Sequence, residues 1–480
     1  MYRKLFCIVV FCLASLPVQV LAAVFHVTGN KEECADPSPV KLCTIVAALQ
    51  LAGDGDQIVI SEGRFQENLF IKKSVRLEGA VGQRVLIDGN QSGPVIVVAP
   101  AISVDITNIT IENGKSDKGG GIYNQGKLTI KDVIIQGNLA ELSGGGVFSG
   151  GSMSAQLDME NSIIQNNHSL GDDKYNVKYG GGGIYNDAPL KIVNSQLRNN
   201  VAIDNGGAIY STYTKRRKVT SAEAFSEELG IAAKPNLRTI LLRDVDQQGV
   251  EMKAVKIEGN TAANGGGIYL LGGLNIRNSY IVDNKALSHQ FSSGGGIFAH
   301  FNASLRVSNT IMAANEATFR GGALRFYSTH EAKFFNTSIT NNKVGEKGRG
   351  AGIFVQNQSK QLRLRNSLVA NNTIANAEEE NCYGNLYSDG YNAINFNRRC
   401  QYHAEVGDLT ATLVQKPVYD KETGEYLSMA NNVLLDAANP EGCIGPEGIP
   451  MATDVRGKSR AVDGNQDGIV RCDIGALEKQ

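Results

Sequence analysis

The sequence predicts an all-β fold: a parallel β-helix with three short strands per coil. Two alternating patterns carry that expectation. The first is Asn-Ser/Thr-x-aliphatic-x-x-Asn, at 161–167 (NSIIQNN), 194–200 (NSQLRNN), 278–284 (NSYIVDN), 309–315 (NTIMAAN), 336–342 (NTSITNN) and 366–372 (NSLVANN), with degenerate copies ending at Asn138 and Asn260. The second is a glycine cluster, an aliphatic and usually an aromatic, starting at Gly119, Gly144, Gly181, Gly206, Gly265, Gly294, Gly321 and Gly350. The last five clusters start 59, 29, 27 and 29 residues apart. Self-similarity at that period means stacked supersecondary units, a solenoid.

The kind of solenoid follows from the pieces. From Gly267 to Asn284 the chain reads GIYLL, LNIRN and YIVDN, three runs of strand length with strand alternation and no helical spacing. Each strand then pairs with its equivalent one coil away, ~4.8 Å along the axis. Glycines supply corner angles that a side chain forbids. Asn tolerates the left-handed region best among the other residues, and its amide bonds turn backbone. Stacked coil on coil, Asn amides also bond one another. The aliphatics after the glycines (Ile122, Val147, Ile184, Ile209, Ile268, Ile297, Leu324 and Ile353) point inward and fill the core.

Composition agrees. Glycine is 54 of 480 residues, without the three-residue period of collagen, and a hydrophobic fraction of 42% excludes bulk disorder. With 47 basic and 48 acidic residues the chain lacks the basic excess that nucleic acid or anionic membranes require.

The elements follow in chain order. Residues 1–22 read as a secretory signal peptide: Arg3 and Lys4, an apolar run, and Leu21-Ala22-Ala23 at the cleavage end. The run is broken by Pro17 and Gln19 and is too short for a span, and no later segment is long and apolar enough to cross a bilayer. Residues 24–56 form the N-terminal cap, 57–410 the repeats, and 411–480 a C-terminal disulfide-bearing segment. About 10–12 coils are expected. The period stops at about 211–251. That insertion holds Lys215-Arg216-Arg217-Lys218 and then SAEAFSEELGIAAKP, read as a short amphipathic helix ended by Pro235. It must leave the wall as a protruding loop, either a binding element or a solvated excursion.

Eight cysteines occur, and Cys7 and Cys12 leave with the signal. Cys34, Cys43, Cys382, Cys400, Cys443 and Cys472 remain, an even number in an exported chain, which reads as disulfides. Proximity in sequence favours Cys34–Cys43, Cys382–Cys400 and Cys443–Cys472 among the 15 connectivities that six cysteines allow.

The alternation of glycine cluster and aliphatic-x-x-Asn resembles the repeats of polymorphic outer membrane proteins, with Ile, Leu or Val where those carry phenylalanine. The segment 44–79 is similar to the helical cap of pectin-lyase-like right-handed β-helices. The segment 454–478 resembles the end of bacterial choice-of-anchor β-helix proteins. These resemblances imply a right-handed β-helix at the cell surface, in the periplasm or outside the cell. No alternating barrel strands follow the solenoid, so self-export through an outer membrane is not expected.

Three sets of residues are candidates for function. After each inward aliphatic stands Tyr123, Phe148, Tyr185, Tyr210, Tyr269, Phe298, Arg325 or Phe354. By alternation this stripe faces outward, where it serves either as a track for sugar rings or as a self-stacking ladder that stiffens the wall. Asp463, Asn465 and Asp467, with Gly468, open like an EF-hand calcium loop. Its closing position is Ile474, with Asp473 the nearest carboxylate, so a weak extracellular calcium site or a plain turn is expected and no other cofactor. For catalysis, Asp204, Asp283, Arg277, Arg320 and Arg325 do not stack as a cluster in the repeat register, and none of the six His falls in a Ser–His–Asp pattern. The expected role is binding or adhesion, towards a glycan or a host or cell-surface partner. A polysaccharide lyase or glycoside hydrolase and a passive spacer are the alternatives.

Overall fold

The computed structural model describes residues 22–29, 41–171, 180–213, 215–219, 240–244, 249–287, 291–356, 362–375, 378–396, 399–410, 420 and 433–479. Residues 1–21 of the expected signal peptide (1–22) and Cys34 lie outside them.

The chain winds into a right-handed parallel β-helix. One coil shows the plan. Ile268–Leu270 forms the first face, Gly273–Arg277 the second, Tyr280–Val282 the third and Lys285–Ala286 the fourth. Each run pairs in parallel with its equivalents in the neighbouring coils, as Ile268 does with Ile209 and Ile297. The first two faces join in one 25-stranded sheet, the third forms a 12-stranded sheet and the fourth a 9-stranded one. The three runs legible in the sequence are thus joined by a fourth, only two residues long in most coils. Two residues show no alternation, so the sequence did not mark it.

The corners explain the motifs. Each motif copy contains two left-handed residues and one Asn that stacks, with separate tasks. In NSYIVDN, Asn278 (φ 52°) turns the chain between the second and third faces and Asp283 (φ 57°) between the third and fourth. The last Asn, Asn284, is fully buried and stacks. Its Nδ2 donates to Asn315 Oδ1 at 3.0 Å, and its Oδ1 accepts from Asn260 Nδ2 at 2.9 Å and from the Asn260 amide at 3.1 Å. The same pattern links Asn138, Asn167, Asn200, Asn260, Asn284, Asn315, Asn342, Asn372 and Asn381. At the remaining corner Gly294 has φ 69°, and a Cβ on the following Gly295 would sit 2.4 Å from two backbone carbonyl oxygens of the next coil.

The aliphatics after the glycines lie inside at 0–1% exposure, in one cluster that runs the length of the solenoid. The N-terminal end is closed by the helix Ile45–Leu51. Thr44 Oγ1 accepts from the Ala47 amide, and the Glu67 carboxylate accepts from the amides of Ile45 and Val46, so the free N–H groups at the helix start are met. Ile45 and Ala48 join the core.

The insertion opens at the corner between the first and second faces. Lys215–Val219 and Ile240–Asp244 form an antiparallel pair there, with the basic run in the first strand. The expected helix at 221–235 lies outside the described residues. Residues 433–479 fold back along the outside of the third face. Leu434, Ala438, Ile474, Ala476 and Leu477 cover Val282, Ile311, Ala313, Leu368 and Ala370. Disulfides join Cys382 to Cys400 and Cys443 to Cys472, and Cys43 is also disulfide-bonded.

Candidate functional site

The strand register places the stripe in one column of the first face, continuing from Tyr123 through Phe148, Tyr185, Tyr210, Tyr269, Phe298, Arg325 and Phe354 to Tyr383. The rings stack on each other. Centroids stand 5.1 Å apart for Tyr123–Phe148, 4.7 Å for Phe148–Tyr185, 5.4 Å for Tyr185–Tyr210, 5.2 Å for Tyr210–Tyr269 and 4.9 Å for Tyr269–Phe298. Neighbours cover the faces of Phe148, Tyr210, Phe298 and Phe354, which are buried, while Tyr123, Tyr185, Tyr269 and Tyr383 are half-buried. Burial pushes the Tyr210 and Tyr269 phenols up, Tyr269 to about 12. Tyr383 was not legible in the sequence, because no glycine cluster precedes it. Its signal is only the register, Phe354 opposite Tyr383.

Arg325 interrupts the rings. Its guanidinium lies 4.4 Å from the Phe298 centroid and 6.0 Å from that of Tyr327. Its Nη2 donates to Gln356 Oε1 at 3.1 Å, while its Nε is buried without a partner. His300 fills the flank, 5.5 Å from Phe298 and 5.4 Å from Tyr327. Burial, then the charge of Arg320, pulls Arg325 down to about 10. Arg320 is pulled down by burial and by Arg349.

This corrects the expectation that Arg320 and Arg325 do not cluster. Arg320 and Arg349 occupy consecutive coils of the column that runs Asn205, Asn264, Ser293, Arg320, Arg349 just before each glycine corner. Arg320 lies 4.9 Å from the Phe354 centroid, and Arg349 lies 5.3 Å from that of Tyr383 and donates to its hydroxyl at 3.1 Å. The reason is geometric: residues five apart, 320 and 325, straddle a glycine corner that folds one back beside the other. Asp204 precedes Asn205 at the same corner but three coils from Arg320, and Asp283 and Arg277 stand on another corner and face. Arg277 lines a separate cleft of about 340 Å³ with Lys253 and Arg306, under residues 445–453.

The calcium candidates form a tight turn. Asp463 accepts from the amides of Asp467 and Gly468, Asn465 Oδ1 from the Asp467 amide, and Asp467 from the Ile469 amide. Asp473 is buried apart, accepting from the amides of Asp436 and Lys479. Among the described residues no group of three or more His, Cys, Asp or Glu is placed to hold a metal ion, and no helix is long and apolar enough to cross a membrane.

Fold and motif together define a right-handed parallel β-helix protein whose repeats are similar to those of the polymorphic membrane proteins. Residues 239–399 match the family model of the right handed beta helix region, and residues 194–212 that of the Chlamydia polymorphic membrane protein repeat. Over 51 residues the chain is 47% identical to the probable outer membrane protein PmpB of Chlamydia muridarum (strain MoPn / Nigg), a match that takes in 10% of this chain and 3% of that one. Among solved structures, the complex of XylC with xylose aligns at 11% identity over 95% of this chain and 99% of that one, with a TM-score of 0.41. The pectate lyase Pel9A aligns at 11% identity over 95% and 96%, with a TM-score of 0.37.

Proposed function

We propose that the chain is an exported surface β-helix with a binding or adhesion role, and that the first face takes a glycan of a host or cell surface. The observation that carries this reading is the single column of aromatic side chains along an outer face, beside the corner from which the insertion leaves. Similarity to an outer membrane protein over the repeat supports the surface location.

The half-buried rings are the ones a sugar would touch. Tyr185→Ser with Tyr269→Ser should weaken retention on a polysaccharide panel about tenfold or more and leave cooperative unfolding in place. Unsaturated or hydrolysed products from that panel would replace the binding reading with a lyase or glycosidase. Neither product nor retention would leave a spacer.

Calcium at Asp463, Asn465 and Asp467 is a further proposal, supported by the order of oxygen ligands in the loop. A melting temperature raised by calcium, and no longer raised in Asp463→Ala with Asp467→Ala, would support it. Equal curves in calcium and in chelator would leave a turn held by its own amides.

A further inference from the structure

Along most of the first face the column is made of rings, and the column beside it, before the glycine corner, is made of Asn and Ser. Both columns change to arginine within the same two coils. Arg325 replaces a ring while Arg320 and Arg349 replace the amides. Three guanidinia are thereby gathered among Phe298, Tyr327, Phe354 and Tyr383.

Like charges brought together and half-buried repel one another, and a stiffening ladder has no need of them. Rings at these positions would stack as they do elsewhere. Among the described residues neither Arg320 nor Arg325 makes an ion pair with a carboxylate, and the Nε atoms of both are buried without a hydrogen-bond partner. The acid that interacts with Arg349, Glu380, is paired with Arg399 at 3.5 Å. Arg349 is exposed and Arg320 and Arg325 are half-buried, so the cluster is open to solvent from one side.

We infer that Arg320, Arg325 and Arg349 bind the oxyanion of an acidic sugar, a carboxylate or a sulfate, while the half-buried rings of Tyr327 and Tyr383 pack against its ring. Planar guanidinium donors match either oxyanion. Placing the anion among three guanidinia relieves their mutual repulsion in a site partly shielded from water. This inference rests on the glycan-binding reading of the first face and adds the charge class of the ligand.

The test uses the whole chain and four immobilised probes: a hexuronate oligomer, its neutral methyl ester, a sulfated oligosaccharide of the same length and its desulfated form. The expected result is retention of an acidic probe over its neutral partner, weakened by salt, with Arg325→Gln losing about tenfold or more. The two acidic arms separate carboxylate from sulfate. Arg349→Gln, at the exposed edge, gives the same loss if Arg325→Gln does not fold, and Lys253→Gln with Arg277→Gln, in the separate cleft, leaves retention unchanged. Equal retention of acidic and neutral probes, abolished by Tyr185→Ser with Tyr269→Ser, would overturn the anion site and keep the glycan face. Retention of none of the four would overturn both. Acidic retention that survives Arg325→Gln and Arg349→Gln but falls in the cleft variant would place the anion elsewhere and overturn the inference.

Discussion

Asparagine has two tasks in this chain, and they are chemically separable. Asn194 sits exposed in the left-handed region at φ 48°. Asn200, in the same motif copy, is fully buried, and its amide meets Asn167, Asn260 and the Ile164 carbonyl. Asn194→Gly keeps the required backbone angle and should change stability by less than about 1 kcal/mol. Asn200→Gly leaves several buried groups unpaired at about 1–3 kcal/mol each and should lower the urea midpoint sharply. Equal losses in the two variants would show that the amide stack is not what holds the coils. The repeated Asn were legible from sequence. Which Asn turns and which stacks was not, because both tasks recur with the same period and only the backbone angle and the hydrogen-bond partners separate them.

Strands and corners explain why the coils stay in register. The inner positions are apolar, mostly aliphatic with Phe326 and Phe334 among them, and the glycine corner brings backbone against backbone. Gly295→Ala would drive a Cβ to 2.4 Å from the Glu316 and Gly322 oxygens. Neither main-chain group can yield without shifting its coil, so thermal unfolding should show a loss of more than about 2 kcal/mol. An unchanged melting curve would mean the corner is slack. The third face carries a signal that passed unread. Its outward residues are Gln136, Gln165, Arg198 and Glu258 in earlier coils and Val282, Ala313, Thr340 and Ala370 in later ones. The switch to small and apolar residues marks the coils that residues 433–479 cover.

The whole molecule is a stack closed at one end by a helix and clasped along one side by its C-terminal segment. The first Asn of the last three motif copies binds that segment. Asn309 Nδ2 donates to the Thr453 carbonyl, Asn336 Nδ2 to the Ile444 carbonyl, and Asn366 accepts from the amides of Asn439 and Gly475. Beneath it lies a buried charge cluster. Arg460 donates to Asn309 Oδ1 at 2.8 Å and meets Glu478 at 3.3 Å, while Asp454 pairs with Arg456. The carboxylates of Asp436, Asp454, Asp473 and Glu478 outnumber the two guanidinia. Burial, reinforced by neighbouring carboxylates, pushes Asp473 up to about 6 and Glu478 up to about 8. The folded segment therefore keeps protons that the unfolded chain releases near pH 4. Its stability should be greatest below about pH 4 and fall as pH rises to about 8. Proteolysis of the clasp across that range should accelerate with pH, and Glu478→Gln should flatten the dependence. A rate that slows as pH rises would reverse the assignment. The Cys443–Cys472 disulfide closes a separation of 29 residues, and its removal should destabilise the clasp by about 3 kcal/mol.

Periodicity and residue type alone were enough to read the coil, the inward aliphatics, the amide stack and two cysteine pairs, and the resemblance of residues 44–79 supplied the cap. Each of these is a local rule repeated, and repetition along the chain becomes stacking in space. The fourth run, the clasp on the third face and the gathering of Arg320, Arg325 and Arg349 were decided by tertiary structure. They depend on which corner folds which residue beside which other, and on a segment 73 to 144 residues away in sequence from the first Asn of the coils it covers. Such juxtapositions have no period, because a contact between a repeat and a unique element happens once.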